Sequence, residues 1–207
     1  MKLTVLGSGS TGNAVLIVAG NTRVLVDAGL SAKEIARRLA MVGEDAQRLD
    51  AVLVTHEHGD HAGGLRVLLG LVDCPVYISA KTLDAYVSER FNVNTEEPRR
   101  RAKALRDRVE QIESSKDFRI GEIDFHPFTI PHDAVDNFGF TATHHGVKIA
   151  TVMDFGHITT LVTERLLGCA AIVIESKGNL PNEELKTRNA LAAMFSARLA
   201  TRSCSGR

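Results

Sequence analysis

Apolar positions recur along this chain with two periods, and the switches between them mark out its elements. Residues 2–6 (KLTVL), 14–20 (AVLIVAG) and 22–29 (TRVLVDAG) are short β-branched runs, the last two flanking Asn21 as a hairpin. Over 31–41 the spacing of Ile35 and Leu39 predicts a helix, with Ser31 as its N-cap. Residues 50–55 (DAVLVT) are almost continuously apolar, which suits a strand covered on both faces. Helical LRVLLGLV, strand-like CPVYISA and helical KTLDAYVSERF follow, an alternation that puts helices over a sheet. The charged stretch 96–116 reads as a solvated helix or loop.

Period two returns from FRIGEIDFHPFTI through NFGFTATHHGVKIATVMDF, with Gly121 and Gly146 at hairpin turns, and predicts a second sheet. ITTLVTERLL is then helical and CAAIVIES a buried strand. Residues 182–200 read as an amphipathic helix, followed by a frayed tail. No linker rich in Gly, Pro or Ser divides the chain, so residues 1–207 are expected to form one domain, with an atypical C-terminal helix and tail over 182–207.

Composition adds limits. At 44% apolar and 24% charged, the 207 residues describe a globular chain, not a disordered or collagen-like one. The 25 basic and 25 acidic residues cancel, so any contact with nucleic acid has to come from a local patch. No run approaches about 20 apolar residues and the start lacks a secretory pattern, so no membrane contact and a cytoplasmic location are expected. Cys74, Cys169 and Cys204 are widely spaced, unlike a disulfide framework or a thiolate zinc site.

Histidine changes the picture. His56, Glu57, His58, Gly59, Asp60 and His61 form an HxHxDH run at the end of an apolar strand. A turn there can aim several imidazoles and a carboxylate into one small volume, the donor set that zinc, manganese or iron takes. One turn approaches an ion from one side only, so further donors are needed. His132 and Asp154 each follow a strand-like run and are candidates for them, though either could be an ordinary turn residue. Asp27 also closes a strand and could orient a ligand histidine, or could be a simple turn residue before Gly29. His157, three residues past Asp154, is expected near the site, while His126, His144 and His145 read as surface or turn residues.

Taken in order, Asp27, the HEHGDH run, His132 and Asp154 resemble the motifs of the metallo-β-lactamase-fold hydrolases. GSGSTGN, VDAGLS, THEHGDHAGG, PHDAVDNFGF, DFGH and IES are similar to the YycJ/WalJ-like branch, to some of whose members DNA exonuclease activity is attributed. The resemblance implies an α/β fold of the α+β kind, a four-layer αββα sandwich, here shortened at its C-terminal side. It implies that His56, His58 and His132 hold one divalent ion, that Asp60 and His61 help hold a second, and that Asp154 bridges them, with Asp27 supporting from behind. It further implies one or two zinc or manganese ions per chain and a metal-bound hydroxide as nucleophile. Asp60 would then be the catalytic residue that orients that hydroxide.

The substrate implied is a phosphodiester, most directly DNA. A small ester, thioester or lactam is the alternative for the same chemistry. The branch also carries a histidine after the IES strand, where this chain has Lys177 and Gly178, and no histidine follows His157. A metal-binding protein of weakened activity is therefore a third expectation, with the first ion held better than the second. The basic run Arg99, Arg100, Arg101, Lys103, Arg106 and Arg108 could track phosphates, but interleaved Glu96, Glu97, Asp107 and Glu110 favour a solvated helix face.

Overall fold

The computed structural model of the protein describes residues 1–91, 94–156 and 159–175. Two sheets face each other. The first is six-stranded in chain order: β1 (Lys2–Gly7), β2 (Ala14–Ala19), β3 (Thr22–Val26), β4 (Ala51–Leu53), β5 (Val76–Ile78) and β6 (Val109–Gln111). The second runs β11-β10-β9-β8-β7, from β7 (Phe118–Ile120), β8 (Ile123–Thr129), β9 (Phe138–His144), β10 (Val147–Val152) and β11 (Ala171–Ile174). Hairpins join β1 to β3 and β7 to β10. Parallel pairing carries the chain from β3 through β6, and again from β10 to β11.

Strand alternation builds three apolar layers from the two sheets. Val15, Ile17, Val24, Val26, Ala51 and Leu53 point inward to meet Ile123, Phe125, Phe140 and Ile149 between the sheets. Their neighbours Leu16, Leu25, Val52 and Val76 point outward and are covered by helices α1 (Ala32–Met41), α3 (Leu65–Leu68), α4 (Ala80–Arg90) and α5 (Glu96–Arg106). On the far side Phe128, Ala150 and Val152 pack under α6 (Thr160–Leu166). The continuous apolar reading of 50–55 follows from this, since β4 is covered on both faces. The result is the four-layer αββα order of helix, sheet, sheet, helix.

Local chemistry places the elements. Ser31 accepts a hydrogen bond from the Glu34 N–H and caps α1, whose Ile35 and Leu39 are fully buried. Gly121 and Gly146 take positive φ, 52° and 76°, at the hairpin turns the sequence points to.

Three readings need correction. The 65–72 run is helical only over its first turn, α3, before it turns back towards β5. The 96–116 stretch is not solvated throughout, because its residues 109–111 add a strand to the edge of the first sheet, parallel to β5. Arg108 is a structural residue, not one free to meet phosphates: its guanidinium donates to the carbonyls of Leu69, Val72 and Cys74. The rest of the basic run is a largely paired, exposed face, with Arg101 against Glu97, Lys103 against Asp107 and Arg106 against Asp84.

No described helix is long and apolar enough to cross a membrane. Cys74 and Cys169 are buried free thiols. The 182–200 helix, the tail beyond it, His157, the Lys177–Gly178 pair and Cys204 lie outside the described residues.

Phe125, 1% exposed, fills the middle of the inter-sheet layer. Phe125→Ala is expected to cost about 3–5 kcal/mol in urea unfolding, whereas Val67→Ala, on the exposed side of α3, should change stability by no more than about 0.5 kcal/mol.

Candidate metal centre

Strand direction brings the candidate residues to one end of the sandwich. Asp27 follows β3, Thr55 and His56 follow β4, His132 follows β8, and Asp154 follows β10, all leaving their strands at the same edge. The turn from His58 through α2 (Gly59–Ala62) adds Asp60 and His61. It is fixed by backbone contacts. Asn13 N–H donates to the Asp60 carbonyl (2.7 Å), Ala28 N–H to that of His61 (2.7 Å), and Gly64 N–H to that of Ala28 (2.7 Å). Gly29 packs directly on this turn, where a Cβ would fall 1.6 Å from the Asp60 carbonyl oxygen. The Gly/Ser segment after β1 is thus a support for the ligand turn.

The side chains converge into two sets that share one residue. Donor atoms of His56, His58, His132 and Asp154 lie within 4.8 Å of one another, as do those of Asp60, His61 and Asp154. Asp154 Oδ2 is 3.5 Å from His56 Nε2, 3.3 Å from His61 Nε2 and 3.4 Å from His132 Nε2. His61 Nε2 stands 3.8 Å from Asp60 Oδ2, and His58 Nδ1 meets His132 Nε2 at 3.3 Å. His56, His61, Asp27 and Asp154 are buried, while Asp60 keeps 16% of its side chain exposed.

Asp27 supports the cluster from behind, and it acts through a residue that sequence reasoning missed. Its carboxylate accepts from the Thr55 N–H (2.9 Å) and hydroxyl, and pairs with His61 Nδ1 at 2.7 Å. With the Thr55 proton directed to Asp27, Thr55 Oγ1 accepts from His56 Nδ1 at 2.9 Å. That leaves the lone pair of His56 on Nε2, an atom with no hydrogen-bond partner that faces Asp154.

Asn13 repeats the logic at His61: its Oδ1 accepts from Gly9 N–H, which turns its amide NH2 towards His61 Nε2 at 2.9 Å. Burial pushes the His61 imidazole down, but Asp27 and Asp154 outweigh it and raise the pKa to about 10. Without a cation the ring therefore holds its proton between the two carboxylates. Burial, together with His56, pushes His132 the other way, below its ordinary value.

Three further residues had no legible signal. Buried Glu57 accepts from the Val135 N–H (2.9 Å) and anchors the loop carrying His132 to the ligand turn. Asn137 donates to the carbonyls of Met153 (3.2 Å) and Asp154 (3.1 Å), holding the Asp154 turn. Gly156 N–H closes the same edge on the Pro131 carbonyl (3.0 Å). Asp27 and Asp154 both take positive φ, 64° and 48°, a conformation that costs a non-glycine residue about 1–3 kcal/mol and is held by these contacts.

The donor set fits a divalent ion. Imidazole nitrogens and carboxylates converge in a buried space, and the His56 Nε2 lone pair points into it with no proton to accept. His56, His58 and His132 with Asp154 would hold one ion, and Asp60 and His61 with Asp154 a second.

Comparison with known proteins gives the family and the fold. Exodeoxyribonuclease YycJ of Bacillus anthracis is 31% identical over 176 residues, covering 85% of this chain and 62% of that protein. Exodeoxyribonuclease WalJ of Streptococcus pneumoniae is 34% identical over 134 residues, 65% of this chain and 46% of that protein. The chain therefore spans between 46% and 62% of the length of these curated relatives. Zn2+-bound PqqB from Methylobacterium extorquens shares the fold at a TM-score of 0.65 and 15% identity, over 84% of this chain and 72% of that one. A family model described as "Beta-lactamase superfamily domain" matches residues 22–199. By that match and by its fold, the chain belongs to the β-lactamase superfamily.

Proposed function

We propose that the chain is a divalent-metal-dependent hydrolase of phosphodiester bonds in nucleic acid, with DNA as its first substrate. The observation that carries this reading is the pair of donor sets joined at Asp154. When bound there, a pair of zinc or manganese ions supplies the Lewis acidity that activates water and balances charge on the attacking and leaving oxygens of a phosphodiester. The two exodeoxyribonuclease relatives support the same substrate class.

The chain's own residues supply the rest. Asp60, the most exposed carboxylate of the cluster, is placed to accept a proton at its Oδ atoms from the attacking water and to aim that water at phosphorus. Asp27 and Thr55 fix the tautomers of His56 and His61. Arg90, exposed at the end of α4, lies against Gly59 of the ligand turn, where a guanidinium can meet a substrate phosphate. Among the described residues the second donor set contains one imidazole and the first three, so the first ion binds more tightly.

Two measurements test this. End-labelled single- and double-stranded DNA incubated with the protein and manganese should be cut, and Asp60→Asn should lower the rate by about a hundredfold or more. Cleavage of neither strand form, or equal cleavage by Asp60→Asn, removes the nuclease reading; turnover of a small ester, thioester or lactam in its place would move the substrate class instead. Thr55→Val keeps the shape of the side chain but breaks the relay to His56, so calorimetric titration should show zinc affinity about 10–100-fold weaker.

A further inference from the structure

The opposite end of the sandwich carries a second cluster of metal-binding character. There, three hairpin turns meet: β2–β3 at Gly20 and Asn21, β7–β8 at Gly121 and Glu122, and β9–β10 at His145 and Gly146. The seven residues of β8 separate Glu122 from the edge that bears His132, roughly 20 Å of strand. Donor atoms of Glu122, His144 and His145 lie within 4.8 Å of one another. The two imidazole centres are 4.1 Å apart.

We propose that Glu122, His144 and His145 form a binding site for a zinc-class divalent cation, separate from the catalytic cluster. Three observations converge. His144 donates from Nδ1 to the Glu122 carbonyl at 3.0 Å, the backbone contact that leaves the other ring nitrogen, Nε2, with its lone pair available to a metal. The Glu122 carboxylate is held in place: Oε1 accepts from the Asn21 N–H at 2.8 Å, and a Cβ on Gly20 would lie 2.3 Å from it, so the carboxylate lies across that turn. His145 takes a positive φ of 47° at a turn position where glycine is the usual residue, and this conformation sets its ring beside that of His144.

Two imidazoles and one carboxylate suit zinc and its first-row neighbours better than magnesium or calcium, which favour all-oxygen shells. An ion here would act as a clip. Glu122 and both histidines belong to the second sheet, and Glu122 is already joined to the first, through Asn21 and through its N–H donating to Thr22 Oγ1 at 2.9 Å.

The test is a count of bound zinc. The chelator-treated full chain and its His144→Ala/His145→Ala variant are titrated with zinc and analysed by elemental analysis. The parent should bind one equivalent more than the variant, and Glu122→Gln, which keeps an acceptor for Asn21, should weaken that equivalent at least tenfold. On the unaltered chain, cobalt added beyond the capacity of the catalytic cluster should shift or broaden the amide resonances of Asn21, Gly121 and Gly146. Equal zinc counts in parent and variant, or undisturbed resonances at these turns, would overturn the proposal. DNA cleavage by His144→Ala/His145→Ala should match the parent, so this site can fail without touching the proposed nuclease function, and the reverse.

Discussion

Two carboxylates, Asp27 and Asp154, have been taken out of water at one end of the sandwich, and the surrounding structure is arranged to compensate them. An unpaired buried charge costs several kcal/mol, so each needs donors or cations in contact. Asp27 receives a backbone N–H, a hydroxyl and an imidazole from the chain itself. Asp154 faces three imidazoles, of which His61 is driven towards its charged form and His132 away from it. The first carboxylate is thus satisfied by protein, and the second stands where the two donor sets meet.

The two-sheet architecture makes this possible without long loops. Each donor leaves the end of a strand or sits on the short α2 turn that follows β4, so the spacing of the sheets, set by the inter-sheet side chains, fixes how closely the donors approach. Asn137 and Gly156 tie the loops of the second sheet to one another, and Glu57, reaching the Val135 N–H across 78 residues, locks them to the first. Proton affinities follow from this packing: His61, between two carboxylates, is raised, while His132, among other imidazoles and partly buried, is lowered.

Much of this was readable from the chain. The hairpin around Asn21, the capped α1, both sheets and the HEHGDH turn announce themselves because their signals are local: alternation, a cap residue, and candidate ligands close together in sequence. Asp27, His132 and Asp154 could be placed at strand ends, but their convergence with the turn depends on sheet pairing and was carried by the resemblance. Thr55, Asn13, Glu57 and Asn137 gave no signal, since each is an ordinary polar residue until its distant partner is known. Strand β6 was missed for a related reason. It is three residues long, with Val109 as its single apolar side chain, and it pairs in parallel with β5 at the edge of the sheet. His144 and His145 were legible as turn residues, and only the folded chain sets Glu122 beside them.

The contact between Gly29 and the Asp60 carbonyl bears on how such proteins diversify. Because no side chain fits between them, the height of the ligand turn above the first sheet is set by one backbone resting on another, and the Asn13 bonds extend that contact to the segment after β1. Residues 9–13, 27–30 and 59–64 therefore form a single packed cassette. Chimeras that cross over between these segments would separate surfaces shaped for one another, whereas exchanges within α4 and α5, on the outer layer, leave the cassette whole.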